Sequence, residues 1–337
     1  MSARSSLVSE NQLIKKIYQI SSQGRFPSGR VRLSIGDDAA AFRNRIGALT
    51  LISTDALVEG IHFDLKYFSP EDLGWKALAA NLSDIAAMGG EPLYFTTSIA
   101  LPKRKTSNFV QKLYRGMLRL ANKTQITLIG GDTCASSEAV FLNVTIIGEV
   151  KPSEIIRRGG ARPGDLVFVT GELGGSAIGL ELLRKYPELA RDSRRVTARH
   201  LRPVPRCHIG RFLAARKYAS AMIDISDGLS TDLHHLCEQS QVGALIDAAR
   251  LPLTTVSQKV ASMLSEPLLD YGMNGGEDYE LLFTVSPKIK DKIPKMIQGI
   301  SIQEIGQITE HAGFCRINLH GRVRRLFPSG FDHFAVL

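Results

Sequence analysis

No two of the four cysteines stand at C-x-x-C spacing: Cys134, Cys207, Cys237 and Cys315 are scattered along 337 residues. This argues against a zinc site or a disulfide framework, and reduced, mostly buried thiols are expected. No apolar run approaches the roughly 18 residues needed to cross a bilayer, and Met1 to Ser9 hold no apolar stretch of signal-peptide length. A soluble cytoplasmic protein with no membrane partner is the expectation. No G-x-x-x-x-G-K-[ST] occurs, and no G-x-G-x-x-G follows a strand-like run, so the P-loop and protein-kinase patterns are excluded. Repeats of solenoid type are absent as well.

A net charge of +9 is present, but its carriers are dispersed. Lys103-Arg104-Lys105, Arg157-Arg158, Arg194-Arg195 and Arg322 to Arg325 lie in different segments, with no zinc finger, RNA-recognition signature or basic helix repeat around them. Solvated surface charge explains them more simply than a nucleic-acid footprint, and steering of small anionic substrates is compatible with it. At 44% hydrophobic content the chain can bury two cores. The glycine- and proline-rich stretch Lys151 to Asp165 marks the boundary, giving domains over 1–150 and 151–337.

In the first domain a capping box at Ser9 to Gln12 opens a short amphipathic helix. Strands are expected near Val31 to Ile35, Ala48 to Ser53, Ile126 to Ile129 and Val140 to Ile147. Helices are expected from Ser69-Pro70-Glu71-Asp72 to Gly89-Gly90, and from Asn108 to Lys123. The second domain alternates strand runs (Leu166 to Thr170, Ala221 to Ile225, Gly243 to Asp247, Leu281 to Val285, Ile302 to Ile308) with helical stretches such as Ala177 to Lys185. That pattern reads as α/β or α+β.

Aspartates recur where the apolar runs end: Gly36-Asp37-Asp38, Ser53-Thr54-Asp55, Gly130-Gly131-Asp132 and Asp224-Ile225-Ser226-Asp227-Gly228. Taken singly, each has an ordinary reading as a turn or cap residue. Gathered at one end of several strands they would repel by roughly 4 kcal/mol per close pair at an effective dielectric near 20, which favours a bound cation. All the donors are oxygens, so Mg²⁺ with phosphate oxygens in its shell is the expected ion. Asp84 is a further candidate, because it interrupts a helix, Ala77 to Met88, that is apolar nearly all round. For phosphate, the candidate cradles are Arg158-Gly159-Gly160 and Gly174-Gly175-Ser176 at a helix N-terminus, both of which also read as tight turns. Glu277 precedes a strand and could hold a ligand cation or amine. His62 alone reads as a core histidine, and Phe331 as a docking aromatic of the tail.

Taken together, Gly36-Asp37-Asp38-Ala39-Ala40, Ser53-Thr54-Asp55 through His62-Phe63, Lys76 to Gly89, Gly130-Gly131-Asp132-Thr133, Thr170 to Leu180, Asp224 to Gly228 and Gly275 to Leu281 resemble the thiamine-monophosphate kinase family, in its order and approximate spacing. The resemblance implies a two-domain fold like that of aminoimidazole ribonucleotide synthetase (PurM-like): an N-terminal α/β domain that pairs with a second subunit into a barrel, and a C-terminal α+β domain, with ATP between the domains. It implies ATP-dependent phosphorylation of thiamine monophosphate to thiamine diphosphate in a homodimer. Asp38, Ser53, Thr54, Asp55, Asp84, Asp132, Asp224 and Asp227 would be metal ligands, and the six of these aspartates other than the Ser53 and Thr54 hydroxyls would also serve catalysis. Gly131, Asp132, Arg158 and Ser226 would contact ATP, while His62, Glu277 and Phe331 would face thiamine phosphate. Another ATP-dependent enzyme of this fold, or a non-catalytic nucleotide- or nucleic-acid-binding protein, are the competing readings.

Overall fold

Ser69 starts the first long helix by a reciprocal cap: its Oγ accepts the Asp72 backbone N–H (3.1 Å) and its hydroxyl donates to the Asp72 carboxylate (2.6 Å). With Pro70 at the first position, where a missing N–H costs nothing, helix α1 runs Pro70–Ala87. A computed structural model describes residues 16–17, 19–20, 30–33, 41–103 and 107–331. The N-terminal helix expected from the capping box lies mostly outside these residues, and Asp37 and Asp38 lie outside them entirely; Lys16, Ile17, Gln19 and Ile20 are helical.

The described chain divides into two compact units, Met1–Leu82 with Glu91–Lys151, and Ser83–Gly90 with Pro152–Leu337. In the first, β1 (Val31–Leu33) pairs with β2 (Ala41–Phe42). A four-stranded sheet holds β3 (Leu49–Val58), β4 (Glu91–Pro102), β5 (Thr127–Ser136) and β6 (Phe141–Val150) in the order β3-β6-β4-β5. Only the β4–β5 pair is parallel among these. Helix α2 (Ser107–Thr124) buries Val110, Leu113, Met117 and Leu120 at helical spacing. Thr97 of β4 reaches the Met117 sulfur (3.7 Å), which fixes the sheet face this helix covers.

The second unit is built on an eight-stranded sheet. Its strands are β7 (Leu166–Thr170), β8 (Ala221–Ile225), β9 (Gly243–Asp247), β10 (Glu280–Val285), β11 (Met296–Ile297), β12 (Ile300–Thr309), β13 (Cys315–Leu319) and β14 (Arg322–Arg325). The order is β14-β13-β9-β12-β7-β10-β8, with β11 paired to β12. The helices are α3 (Gly175–Lys185), α4 (Pro187–Asp192), α5 (Arg194–Leu201), α6 (Cys207–Arg216), α7 (Leu229–Ser240), α8 (Gln258–Ala261) and α9 (Leu268–Asn274). Val167, Val169, Ile223, Ile225 and Leu282 face Leu229, Leu233 and Leu236 of α7 in one apolar core. Leu233 and Leu236 are fully buried, so truncating either to Ala costs about 2–5 kcal/mol. The basic run Arg322 to Arg325 is the exposed edge strand β14, where arginines discourage edge-to-edge pairing. Among the described residues no helix is long and apolar enough to cross a membrane.

Candidate functional site

In the second unit three separated segments are laced together beyond the ends of β8 and β10. Strand β8 runs into the loop Ser226-Asp227-Gly228, whose three backbone N–H groups all donate to one oxygen of Asp232 at 3.1 Å. Asp232 is 1% exposed and lies in the first turn of α7. Burial, reinforced by the charges of Asp224 and Asp227, pushes its carboxyl up to about 8 despite those three donors. The second segment is Gly275 to Tyr279. Glu277 N–H donates to the Ser226 carbonyl (2.7 Å) and Tyr279 N–H to the Ile225 carbonyl (2.9 Å). The third is the tail, where Ser329 N–H donates to Ser230 Oγ (3.2 Å), Gly330 N–H to Thr231 Oγ1 (3.0 Å) and Phe331 N–H to the Asp227 carbonyl (3.0 Å). A Cβ on Gly330 would sit 2.1 Å from that carbonyl, so only glycine allows the approach. Asp224, Ser226, Asp227, Glu277 and Phe331 are thus brought together, and Phe331 leaves half its surface exposed.

The neighbouring glycine-rich turn does something other than the expected phosphate cradling. Asp278 fills it: Oδ2 accepts the Gly174 N–H (2.6 Å) and Oδ1 the Ser176 N–H (3.1 Å). The N-terminus of α3 therefore holds a protein carboxylate, the anion its dipole favours. Burial pushes the Asp278 carboxyl up to about 7. Two residues on, fully buried Glu280 accepts from Thr170 Oγ1 (2.6 Å) and takes the Arg206 guanidinium on both oxygens (2.6 and 2.5 Å). The segment Glu277 to Glu280 is anchored by its buried carboxylates to two separate helical regions.

In the first unit Asp55 and Asp132 are not at strand ends. Strand β3 continues through Ser53, Thr54 and Asp55 to Val58 because β6 pairs with all ten of its residues, and β5, after a bulge at Ile129, continues through Asp132 to Ser136 along β4. A strand alternates its faces. Ser53 and Asp55 therefore share the face of buried Ile146 and Val144, whereas Thr54 lies on the other, where its hydroxyl meets Asn143 and Thr145 (3.0 Å). Exposed Asp132 pairs opposite Ser98, itself opposite Asn143, and so belongs to Thr54's face. Gly131, one residue before, is level with Thr97. Buried Asn81 of α1 ties the Asp55 N–H (3.2 Å) to the helix while donating to the Ala77 carbonyl (3.0 Å). His62 turns its Nδ1 back to accept the Val58 N–H (3.0 Å), so the neutral ring carries its proton on Nε2. Asp84, half-buried, lies in the last turn of α1 within Ser83–Gly90, the stretch that groups with the second unit.

Arg158 stands apart from the laced loops. Its own carbonyl accepts from Ser240 Oγ (3.2 Å), and Gly160 and Ala161 N–H donate to that same oxygen (3.1 Å each). Ser240 ends α7, and the 12 residues of that helix span about 18 Å from the Asp227 end. Among the described residues no three His, Cys, Asp or Glu side chains converge as a ready-made metal cage. Asp232, Asp278, Glu280, Arg206 and His200 were not singled out from the sequence. Asp232, an acid in the first turn after a glycine, was the one with a local signal.

The AIR synthase related protein N-terminal domain model matches residues 36–150, and the C-terminal domain model matches 162–316. The chain is 41% identical over 308 residues to the thiamine-monophosphate kinase of Buchnera aphidicola subsp. Acyrthosiphon pisum, covering 89% of this chain and 92% of that one. The crystal structure of thiamine-monophosphate kinase from Stenotrophomonas maltophilia matches with a TM-score of 0.80 at 34% identity, over 94% of this chain and 98% of that one. AaThiL complexed with AMPPCP and TMP matches with a TM-score of 0.75 at 32% identity, over 99% and 100% of the two chains. Both domain models and these relatives, similar over nearly the full length, agree: the chain belongs to the thiamine-monophosphate kinase family, within the AIR synthase related proteins.

Proposed function

We propose that the chain transfers the γ-phosphoryl group of ATP to the phosphate of thiamine monophosphate, giving thiamine diphosphate and ADP. The observation that carries this reading is the lacing of Asp224 to Gly228, Gly275 to Tyr279 and Ser329 to Phe331 into one cluster, in a chain whose relatives are named for that activity. Glu277 offers a carboxylate and Phe331 an exposed ring, a pair suited to the cationic rings of the acceptor. His62 is the third group assigned to thiamine phosphate. The acceptor phosphate is already ionised, so no general base is needed and positioning dominates.

Mg²⁺ is the proposed metal, and the residues fit it. Asp224 is 3% exposed, and its charge and that of Asp227 both disfavour ionisation of Asp232, the mark of a crowded all-oxygen site. Because no three carboxylates form a cage among the described residues, water and phosphate oxygens would complete the shell, as Mg²⁺ prefers. Asp38, Ser53, Thr54, Asp55, Asp84 and Asp132 are the remaining assigned ligands. When bound, such ions screen the two polyanions from each other. Gly131, Asp132, Arg158 and Ser226 are assigned to ATP.

A homodimer and a cytoplasmic setting complete the reading, with no nucleic-acid or membrane partner. Supporting the dimer, the face of β3 and β6 that carries Thr54 also exposes Ile52 (69%) and Phe141 (38%). Incubation with Mg-ATP and thiamine monophosphate tests the activity. ADP and thiamine diphosphate should form in equal amounts; ATP binding without turnover would instead support a non-catalytic nucleotide-binding protein.

A further inference from the structure

Glu277 is held in a backbone conformation that few side-chain-bearing residues adopt: its φ is +64°, and Tyr279 two residues on has φ +50°. A left-handed non-glycine residue costs about 1–3 kcal/mol and persists where its surroundings over-determine it. Here they do. The Glu277 and Tyr279 N–H groups are bonded to the β8 exit, and the Asp278 carboxylate between them is bonded to the N-terminus of α3. The Glu277 side chain has its own contact: one carboxylate oxygen lies 3.3 Å from Nδ1 of His200.

His200 belongs to α5 and is 2% exposed. The same Nδ1 lies 3.1 Å from Oγ of fully buried Ser176, in the first turn of α3. An ionised carboxylate only accepts, so Nδ1 carries the proton that faces Glu277, and the serine oxygen shares it. Helix α5 can bring the ring this close because Gly179 of α3 has no side chain: a Cβ there would lie 2.8 Å from the Val196 carbonyl and 3.3 Å from the His200 Cβ. Two helices thus pin consecutive residues of one loop, α3 taking Asp278 and α5 taking Glu277. A buried ring is a fixed donor, and its fixed direction narrows the rotamers open to the Glu277 side chain.

We propose that His200 is a positioning residue that orients the Glu277 carboxylate toward the cationic portion of the acceptor substrate, with Ser176 steadying the ring. This rests on the kinase reading above, in which Glu277 faces thiamine monophosphate. His200 touches no substrate; it sets the direction of the group that does.

The test compares two polar replacements. The amide nitrogen of Asn falls near the Nδ1 position and that of Gln near Nε2, so His200→Asn keeps the donor toward Glu277 and His200→Gln removes it. His200→Gln should raise the Michaelis constant for thiamine monophosphate roughly 5- to 30-fold, at the low end of the roughly 10- to 150-fold a charge-assisted hydrogen bond is worth because His200 acts through Glu277, with the ATP constant changed by less than about 2-fold. His200→Asn should stay within about 3-fold of wild type for both. In a Glu277→Gln background, His200→Gln should add less than about 2-fold, because the carboxylate it orients is already gone. Equal effects on both substrates, full additivity with Glu277→Gln, or an unchanged acceptor constant in His200→Gln would each overturn the proposal while leaving wild-type kinase activity intact. A wild type that makes no thiamine diphosphate would overturn the kinase reading and this proposal with it.

Discussion

The two units present most of their described candidate residues in different ways. In the first, Ser53, Thr54, Asp55 and Asp132 sit within long paired strands, and the strand period divides them between two faces. In the second, Asp224 lies within β8, but Asp227 and Glu277 sit on loops beyond the strand ends, where backbone hydrogen bonds between the loops fix their spacing. A strand offers rigid side chains but lets only alternate residues face one ligand. Laced loops let neighbouring residues serve one site, at the cost of extra clamps such as Asp232 and Asp278.

The largest effect should come from the laced side. Asp227→Asn keeps size and the loop's backbone bonds while removing a charge, and turnover should fall about 10²- to 10³-fold with a raised Mg²⁺ requirement and an unchanged fold. Circular dichroism and a magnesium titration of the rate check it. Asp84→Asn, on the helix end that joins the second unit, should weaken turnover by about 10²-fold as well, and relief of like-charge repulsion should raise the melting temperature of the metal-free chain. Near-normal activity of Asp84→Asn at limiting Mg²⁺ would remove Asp84 from the metal site.

A pH experiment sharpens the comparison through the clamps. Burial raises the Asp278 carboxyl to about 7, above its unfolded value, so its protonated form favours folding at low pH. That contribution is fully present below about pH 4 and is lost as pH rises through 7, on the order of 4 kcal/mol at most. Melting temperatures at pH 5 and pH 8 should therefore differ more in wild type than in Asp278→Asn. An identical difference in the two would mean that Asp278 titrates normally.

How far the sequence foretold this depends on whether a feature was local. Strands Ala221–Ile225 and Gly243–Asp247 were legible to the residue, because each is a short apolar run bounded by turns. The extension of β3 past Ser53 through Thr54-Asp55 to Val58 was not: Asp55 disfavours a strand and reads as its end, and ten-residue pairing with β6 overrides it. Arginine-rich β14 was hidden for the same reason, being a strand only by pairing with β13. The recurrent aspartates were visible, but not which of them share a face. His200 is 77 residues from Glu277 in the chain, so its role is written only in tertiary contact.

Phe331 carries the smallest expected effect. Its backbone is tied to Asp227 while its ring is half exposed, so Phe331→Ala should raise the Michaelis constant for thiamine monophosphate roughly 3- to 30-fold through loss of a ring–cation contact, and leave the ATP constant nearly unchanged. Equal effects on both constants would mean that the tail only holds the loops together.

The most direct measurement of whether the laced loops hold the acceptor is a side-by-side determination of both Michaelis constants for Glu277→Gln. The acceptor constant should rise by about 10-fold or more, with the ATP constant within about 2-fold of wild type. An unchanged acceptor constant, or a selective rise in the ATP constant, would contradict the placement of thiamine monophosphate at this cluster.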